Sequence, residues 1–309
     1  MSEYTIGLDL GGTNLRAAAI DRNGKLLQKV WASTDLSSAE AVVEEMAKCI
    51  DAVRFAQGSL NLRGIGVAVP GFIRLKEGVV VGANNLAVLE NFPIRDAMQT
   101  RLGTTVILEN DANAAALGEK WMGSGKDVDD LILITLGTGV GGGIIADGKI
   151  LHGALGMAGE IGHMTVAPNG NPCGCGNHGC LEKHASATAI AALGRMIGLG
   201  DVTSEEVHEL AKKGDQRAIA VFEHMGRSLG IALAMLINVF NFPLYLLSGG
   251  PLPAWDVFAP PMLDEVHVRS FTYRASKPRI EKAALGNEAG LFGAAYLPFC
   301  KPQTNVARN

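Results

Sequence analysis

Hydrophobic and polar positions alternate along two stretches of the chain, and both stretches predict the same order of strands and turns. The first, YTIGLDLGGTNLRAAAIDRNGKLLQKV (residues 4–30), predicts a strand, a glycine turn, a second strand, an Asn-Gly turn and a third strand. The second, DLILITLGTGVGGGIIADGKILHG (130–153), predicts the same succession with an Asp-Gly turn. This repetition indicates an internal duplication, with two similar lobes that each offer a glycine loop to a central cleft.

Apolar residues at helical spacing predict helices around these repeats. One helix is expected over about 38–56, and the segment ENDANAAALGE (109–119) predicts a strand end that runs directly into an alanine-rich helix. A last helix, over about 288–299, is expected to return to the N-terminal lobe. The fold class is therefore α/β. We expect a small N-terminal lobe of residues 1–117 plus 287–309 and a larger C-terminal lobe of residues 118–286.

Composition and charge narrow the classes of partner. The 309 residues are 48% apolar and 19% charged, which is typical of a soluble globular protein. The net charge is −4 and no Lys/Arg cluster occurs, so we expect no nucleic-acid partner. The long apolar run 229–248 contains Asn238, Asn241 and Pro243, so it predicts a buried helix and a buried strand rather than a membrane span. No signal peptide is evident, and we expect a cytoplasmic protein.

The glycine loops suggest phosphate binding. GTGVGG (137–142) formally matches the dinucleotide pattern G-x-G-x-x-G, but that fold needs a helix directly after the loop and here a hairpin follows. Two opposed glycine loops can instead present backbone N–H groups to phosphates from both sides. In LDLGGTNL (8–15), Asp9 could also hold a divalent metal, and Thr13 adds a hydroxyl.

Asn110 and Asp111 stand where the predicted strand meets the alanine-rich helix. One interpretation is structural: Asp111 caps the helix N-terminus, as aspartate often does. The other is functional: its carboxylate lies at the mouth of the cleft and takes a proton from a hydroxyl group. The residues alone do not decide between these two roles.

Three of the five cysteines, Cys173, Cys175 and Cys180, fall within eight residues. A disulfide knot, a redox pair and a metal site are the alternatives. The odd total and a reducing compartment favour zinc over disulfides. A fourth ligand is needed, and His163, His178 and His184 are all close in sequence.

Five motifs occur together in a specific order. They are LDLGGTNLRAAAID, ENDANAAALGE, LGTGVGGGII, GMAGEIGH and CGCGNHGCLE. In these motifs and their order, nearly the whole chain resembles the ROK family of sugar kinases, and most closely its bacterial glucokinases. The resemblance implies an actin-like ATPase (ribonuclease H-like) duplication. It also implies phosphoryl transfer from ATP, with Mg²⁺, to the 6-hydroxyl of a hexose, with glucose as the expected substrate.

The same resemblance implies roles for individual residues. Asp111 is the implied catalytic base. The implied sugar contacts are Asn85, Asn110, Asp111, Glu160, His163 and Glu182. The implied ligands of a structural zinc ion are His163, Cys173, Cys175 and Cys180. The implied nucleotide contacts are Asp9, Gly11, Gly12, Thr13, Asn14, Thr138, Gly139, Gly249 and Gly250.

Several alternatives stay open within this resemblance. Leu89 replaces a tryptophan of the family pattern in NLAVLENFPI (85–94), so the sugar can differ from glucose, with N-acetylmannosamine, fructose and allose as the other candidates. A sugar-sensing transcriptional regulator of the ROK type is the alternative from another class. Such regulators add an N-terminal helix-turn-helix region, for which we expect no room before the first glycine loop. A homodimer is the expected assembly.

Overall fold

The computed structural model describes residues 3–58, 60–83 and 86–300. The strands are β1 (Glu3–Leu10), β2 (Asn14–Asp21), β3 (Leu26–Ser33), β4 (Asn61–Val69), β5 (Phe72–Arg74), β6 (Val79–Gly82), β7 (Val106–Asn110), β8 (Leu131–Leu136), β9 (Val140–Ala146), β10 (Lys149–Ile150), β11 (Leu244–Gly249) and β12 (Arg279–Lys282). The α-helices are α1 (Ala39–Ala56), α2 (Ile94–Leu102), α3 (Asp111–Met122), α4 (Glu182–Ala185), α5 (Ala187–Met196), α6 (Ser204–Lys212), α7 (Gln216–Phe240), α8 (Trp255–Arg269), α9 (Tyr273–Ser276) and α10 (Ala289–Tyr296).

The chain forms two compact units. The first contains the described residues of Met1–Lys126, His152–Met157 and Glu288–Asn309, and the second contains Asp127–Leu151 and Ala158–Asn287. The short segment His152–Met157 therefore groups with the first unit, although its neighbours on both sides in sequence belong to the second.

The first unit is built on a five-stranded sheet in the order β3-β2-β1-β4-β7. The β3-β2-β1 part is an antiparallel meander, as the alternating pattern predicted, and β4 and β7 then continue in parallel with β1. The Asn-Gly turn between β2 and β3 places Gly24 at φ +78°, a left-handed conformation that glycine adopts without strain. Helix α1 begins after Ser38, whose side chain caps it, and packs its apolar face in the core with β1.

The second unit repeats this sheet. Its order is β10-β9-β8-β11-β12, again with an antiparallel meander followed by two parallel strands. The predicted duplication is thus confirmed at the level of sheet order. The physical basis is the same in both halves, because the short turns between the meander strands can connect only antiparallel neighbours, while the parallel strands require longer connections that contain helices.

The apolar run 229–248 forms the second half of α7 and most of β11, as predicted. Among the described residues, α7 is the one helix long and apolar enough to cross a membrane by length and composition. Most of its apolar window, 61%, is nevertheless buried inside the protein. Its buried residues pack with α8 and β11 in the core of the second unit, which is the usual setting of such a helix in a globular core.

Helix α10 packs tightly on α3 in the first unit. A Cβ atom on Gly293 would overlap the carbonyl oxygen of Ala114, and one on Gly118 would overlap that of Ala289. The two helices can approach this closely because glycine has no side chain at either contact. This packing holds the helix that begins at Asp111.

Candidate functional site

The first glycine loop joins β1 to β2 and is a tight turn. The Gly11 N–H donates to the carbonyl of Asn14 at 2.9 Å, and the Thr34 hydroxyl donates to the Gly11 carbonyl at 2.7 Å. Gly11 and Gly12 are half-buried, whereas Thr13 and Asn14 are exposed. The loop is therefore fixed from one side and accessible to a ligand from the other.

Asp9 lies at the end of β1, next to this loop, and is paired with Arg16. Arg16 also contacts Glu288 at 3.5 Å, and Glu288 accepts from Lys29 at 2.7 Å. Burial raises the pKa of Asp9, with Glu288 adding to the rise, although the Arg16 guanidinium opposes it. In this structure the carboxylate predicted to hold a divalent metal is thus engaged with an arginine.

The junction of β7 and α3 settles which residue caps the helix. The side chain of Asn110 accepts from the N–H groups of Ala112 and Asn113, at 2.9 and 3.1 Å, and its amide nitrogen donates to the Gly71 carbonyl at 3.1 Å. Asn110 is therefore the N-cap, and the interpretation of Asp111 as the cap is wrong. The reason is geometric: Asn110 has an extended backbone, whereas Asp111 is the first residue inside the helix.

Asp111 therefore does not cap the helix. Its carboxylate accepts from the Ala112 N–H at 2.8 Å. Burial raises the pKa of Asp111 to about 6, the charge of Asp9 adds to the rise, and the Ala112 hydrogen bond opposes it. A carboxylate with a pKa near neutrality is suited to accept a proton at physiological pH.

Glu109 is a buried residue of this junction that sequence reasoning missed. Its side chain is hidden from solvent and accepts from the Asn110 N–H at 3.0 Å and from the Asn113 amide at 3.1 Å. Its other oxygen lies 2.7 Å from Nε2 of His152. The available signal was a glutamate within an apolar strand, since buried carboxylates require partners. The partner His152 lies 43 residues away in sequence, so no local pattern could identify it.

Replacing Glu109 with Ala is expected to lower the free energy of unfolding by about 2 to 4 kcal/mol, because three partners lose their acceptor inside the protein. Urea denaturation measures the loss. The control is Glu223→Ala, which removes an exposed pair with Arg227 and should cost less than about 1 kcal/mol. Equal losses in the two variants would contradict the assignment of Glu109 as a buried anchor of this junction.

The second glycine loop joins β8 to β9 within the second unit. The Gly137 N–H donates to the Gly139 carbonyl at 2.9 Å, and Gly137 and Thr138 are exposed. The Val140 N–H donates to the carboxylate of Glu182 at 3.2 Å. Thr138 and Gly139, both predicted as nucleotide contacts, thus lie in an accessible turn beside Glu182.

His163 and the three clustered cysteines come together, as predicted for a metal site. Their four candidate ligand atoms all lie within 4.8 Å of one another. The Sγ atoms of Cys175 and Cys180 are 3.7 Å apart, far beyond a disulfide bond length of about 2.05 Å. Sγ of Cys173 lies 3.6 Å from Nδ1 of His163.

These separations fit a tetrahedral zinc ion. Bond lengths of about 2.3 Å to sulfur and about 2.0 to 2.1 Å to nitrogen imply S–S distances of about 3.8 Å and S–N distances of about 3.6 Å around one ion. The residues present therefore suit a Cys₃His site. The other two histidines lie elsewhere: His178 is exposed in the loop and is absent from the cluster, and His184 pairs with His224 at 3.0 Å.

Glu160 and Glu182 flank the cluster. Glu160 precedes a short 3-10 turn, Ile161–His163, and its carboxylate lies 3.9 Å from Nε2 of His163. Partial burial raises the pKa of Glu160, with Glu182 adding to the rise and His163 opposing it. The two glutamates are therefore close enough to influence each other. His163 presents one nitrogen to the cysteines and the other towards Glu160, as metal-bound histidines commonly do.

The turn after β11 borders a cavity of about 330 Å³ in the second unit. Gly249 has φ +115°, where a Cβ would overlap the Leu136 carbonyl, and the Gly250 N–H donates to that carbonyl at 3.0 Å. The cavity is lined by Ser204, Glu205, His208, Glu209, Lys212, Phe222, Gly250, Pro251 and Pro253. The turn of Gly249 and Gly250, which the family resemblance implies as a nucleotide contact, thus adjoins a pocket lined by both polar and apolar residues.

Two further predictions concern the segment 85–94. Asn85 lies outside the described residues. Leu89, which replaces the tryptophan of the family pattern, is fully buried in a 3-10 turn, Ala87–Leu89, within the core of the first unit.

Comparisons with known proteins confirm the family resemblance. The sequence profile of the ROK family matches residues 5–299. A glucokinase from Halalkalibacterium halodurans is 37% identical over 95% of this chain and 94% of that protein. The crystal structure of a ROK hexokinase from Thermus thermophilus superposes with a TM-score of 0.87 at 34% identity, over 94% of this chain and 96% of that one.

Two other relatives bear on function. The crystal structure of a ROK family glucokinase from Streptomyces griseus, in complex with glucose and AMPPNP, gives a TM-score of 0.77 at 32% identity, over 95% of this chain and 98% of that one. A xylose repressor from Caldicellulosiruptor bescii is 30% identical over 93% of this chain but only 76% of the repressor.

Proposed function

Because the chain belongs to the ROK family, we propose that it is a sugar kinase that transfers a phosphoryl group from ATP to the 6-hydroxyl of glucose. The fold expected from the sequence, the actin-like ATPase duplication, is that of the family's solved members. The observation that carries the proposal is Asp111, a buried carboxylate in the first turn of α3 that does not cap the helix and whose pKa is raised to about 6. In this role it takes the proton of the hexose hydroxyl as the hydroxyl attacks.

The proposed nucleotide site uses the two glycine loops. Both turns, at residues 11–14 and 137–139, contain exposed and half-buried residues and are suited to present N–H groups to phosphate oxygens. The cavity beside Gly250 is the proposed place for the adenosine part. Asp9 is the residue proposed to hold the Mg²⁺ ion that accompanies ATP. Such an ion would neutralise charge on the transferring phosphoryl group. Arg16, the present partner of Asp9, would then shift towards Glu288.

The proposed hexose contacts are Asn85, Asn110, Asp111, Glu160, His163 and Glu182. Carboxylates suit this task because each oxygen accepts a sugar hydroxyl hydrogen bond. The Asn110 side chain is already engaged in capping and with Gly71, so only its second amide hydrogen is available to a sugar. Most of the proposed hydrogen bonds to the hexose are therefore assigned to the carboxylates of Asp111, Glu160 and Glu182.

We propose that the Cys₃His cluster holds a structural zinc ion. The supporting observations are two ligand separations, 3.6 and 3.7 Å, that match tetrahedral coordination, and the grouping of all four candidate ligand atoms within 4.8 Å of one another. Four protein ligands leave no open position, so the ion supplies rigidity rather than Lewis-acid chemistry. The chain's own residues then carry the reaction, and the cluster fixes the segments bearing Glu160 and Glu182.

Two alternatives have specific support. The buried leucine at position 89 changes the family's pattern near the sugar side, which keeps N-acetylmannosamine, fructose and allose as candidate substrates. The xylose repressor relative supports a sugar-sensing regulator, but the chain spans only 76% of that protein. We also propose that the protein is a cytoplasmic homodimer and that it acts in carbohydrate metabolism, including glycolysis. The proposal includes no nucleic-acid or membrane partner.

A coupled assay with ATP over a panel of hexoses tests the proposal. We expect ADP formation that depends on hexose, with the highest kcat/KM for glucose. N-acetylmannosamine, fructose and allose belong in the same panel, since a higher kcat/KM for one of them would replace glucose in the proposal. Sequence-specific DNA binding in a gel shift, together with no turnover of any hexose, would favour the regulator.

A further inference from the structure

The second glycine loop is held by the segment that follows the cysteine cluster, residues 182–188. Three hydrogen bonds join the two. The Ala187 N–H donates to the Gly137 carbonyl at 2.8 Å, and the Thr188 hydroxyl donates to the Thr138 carbonyl at 2.8 Å. The third runs from the Val140 N–H to the Glu182 carboxylate at 3.2 Å. None of these contacts was evident from the sequence.

The two carbonyl contacts determine where the loop's N–H groups point. In a planar trans peptide, the carbonyl and the following N–H lie on opposite sides. Fixing the Thr138 carbonyl towards Thr188 therefore turns the Gly139 N–H away from residues 182–188. Fixing the Gly137 carbonyl towards Ala187 turns the Thr138 N–H away in the same manner. These are the N–H groups that a phosphate-binding glycine turn must present.

Glu182 completes the arrangement at the other end of the turn. By accepting from the Val140 N–H, its carboxylate occupies the side of the loop next to β9. A Cβ on Gly139 would meet the Glu182 carboxylate, so the two residues are in close contact. The turn is therefore held by fixed partners at Gly137, Thr138 and Val140, leaving the N–H groups between them directed outwards.

On this basis, and resting on the proposed function, we propose that Thr188 is a positioning residue for the nucleotide phosphates. Among the described residues, its hydroxyl is the one side-chain donor to the Gly137 and Thr138 carbonyls, since Ala187 donates through its backbone. Thr188 is exposed and lies in the first turn of α5. It orients the Thr138–Gly139 peptide without itself contacting the substrate.

The test compares Thr188→Val, which keeps the shape but removes the donor, with Thr188→Ser, which keeps the donor. Calorimetry with ATP measures affinity directly, and steady-state kinetics separate KM for ATP from KM for glucose and from kcat. We expect Thr188→Val to weaken ATP binding and raise KM for ATP about threefold to tenfold, the range for one lost hydrogen bond. KM for glucose should stay within about twofold, and Thr188→Ser should restore ATP affinity.

The matched control is Thr272→Val in the same unit, where a threonine hydroxyl also donates to a backbone carbonyl, that of Ile237, at 3.2 Å. This variant should leave ATP affinity unchanged. The proposal is overturned if Thr188→Val binds ATP like the native protein, if Thr188→Ser is as impaired as Thr188→Val, or if Thr272→Val has the same effect. A native protein that binds ATP but phosphorylates no hexose would overturn the proposed function alone, because the binding comparison would still test Thr188.

Discussion

Replacing Asp111 with Asn is expected to lower kcat by at least about 10²-fold, the usual scale for loss of a general base. Asparagine has nearly the same shape and can still accept the Ala112 N–H. It cannot take a proton at neutral pH. Because Asn110 is the residue that caps α3, the substitution leaves the cap in place. Steady-state kinetics with saturating ATP and hexose measure the effect.

Thermal unfolding distinguishes this result from a folding defect. The pKa of Asp111 is raised in the folded protein, so its contribution to stability is present below its ordinary pKa and is lost as pH rises through about 6. Removing the charge should therefore leave Tm at pH 7 unchanged or higher. Asp96→Asn is the control, since Asp96 is an exposed acid in the first turn of α2 and should retain full activity. Near-native turnover in the Asp111 variant would exclude it as the base.

The pH dependence of kcat provides an independent check on the same residue. A base with a pKa of about 6 is mostly protonated below that pH, so kcat should fall about tenfold for each pH unit below 6 and reach a plateau above about 7. The residual activity of Asp111→Asn should lack this acidic limb. An acidic limb of the same midpoint in the variant would assign the titration to another group.

The second large effect is expected from the cysteine cluster. Cys175→Ser should abolish a zinc content of about one ion per chain and lower affinity for both glucose and ATP, because removing one ligand opens the Cys₃His site. Cys175 is exposed, so the serine creates no cavity in the core. Elemental analysis measures zinc, and calorimetry measures the two affinities separately.

The expected loss of ATP affinity comes from the tertiary structure. From sequence distance alone, zinc loss should weaken sugar binding more than ATP binding, since the glycine loops lie far from the cysteines along the chain. Glu182, two residues after Cys180, in fact accepts from Val140 at the second glycine loop. Disordering the cluster should therefore also release this loop.

His178→Ala is the matched control for the cluster, because His178 is exposed and His163 supplies the nitrogen ligand. It should retain zinc and both affinities. A metal-free native protein with full activity would refute the structural zinc site. Loss of zinc in the His178 variant but not in a His163 variant would reassign the fourth ligand.

The residues of the candidate site differ in how far the sequence could predict them. The three cysteines were predictable because thiols so close in sequence need only a short loop to meet, whereas the residues alone left three histidines open and the family resemblance implied His163. The glycine turns were predictable because Asn-Gly, Asp-Gly and glycine clusters encode their own backbone conformation. The sequence did not decide whether Asp111 is a helix cap or a base. Both Asn110 and Asp111 are residue types that suit a cap, and only the backbone angles show that Asn110 is the one used.

The sequence by itself determined the local elements and their repetition, since periodicity and turn chemistry act over a few residues. Tertiary structure alone decided the contacts between distant segments. It paired Glu109 with His152, Glu182 with Val140 and Thr188 with Thr138. Each of these contacts depends on which segments the fold brings together, and the residue types are compatible with many other partners. A single sequence carries no signal that selects among those partners, so the groups that position the site emerge only when the chain is folded.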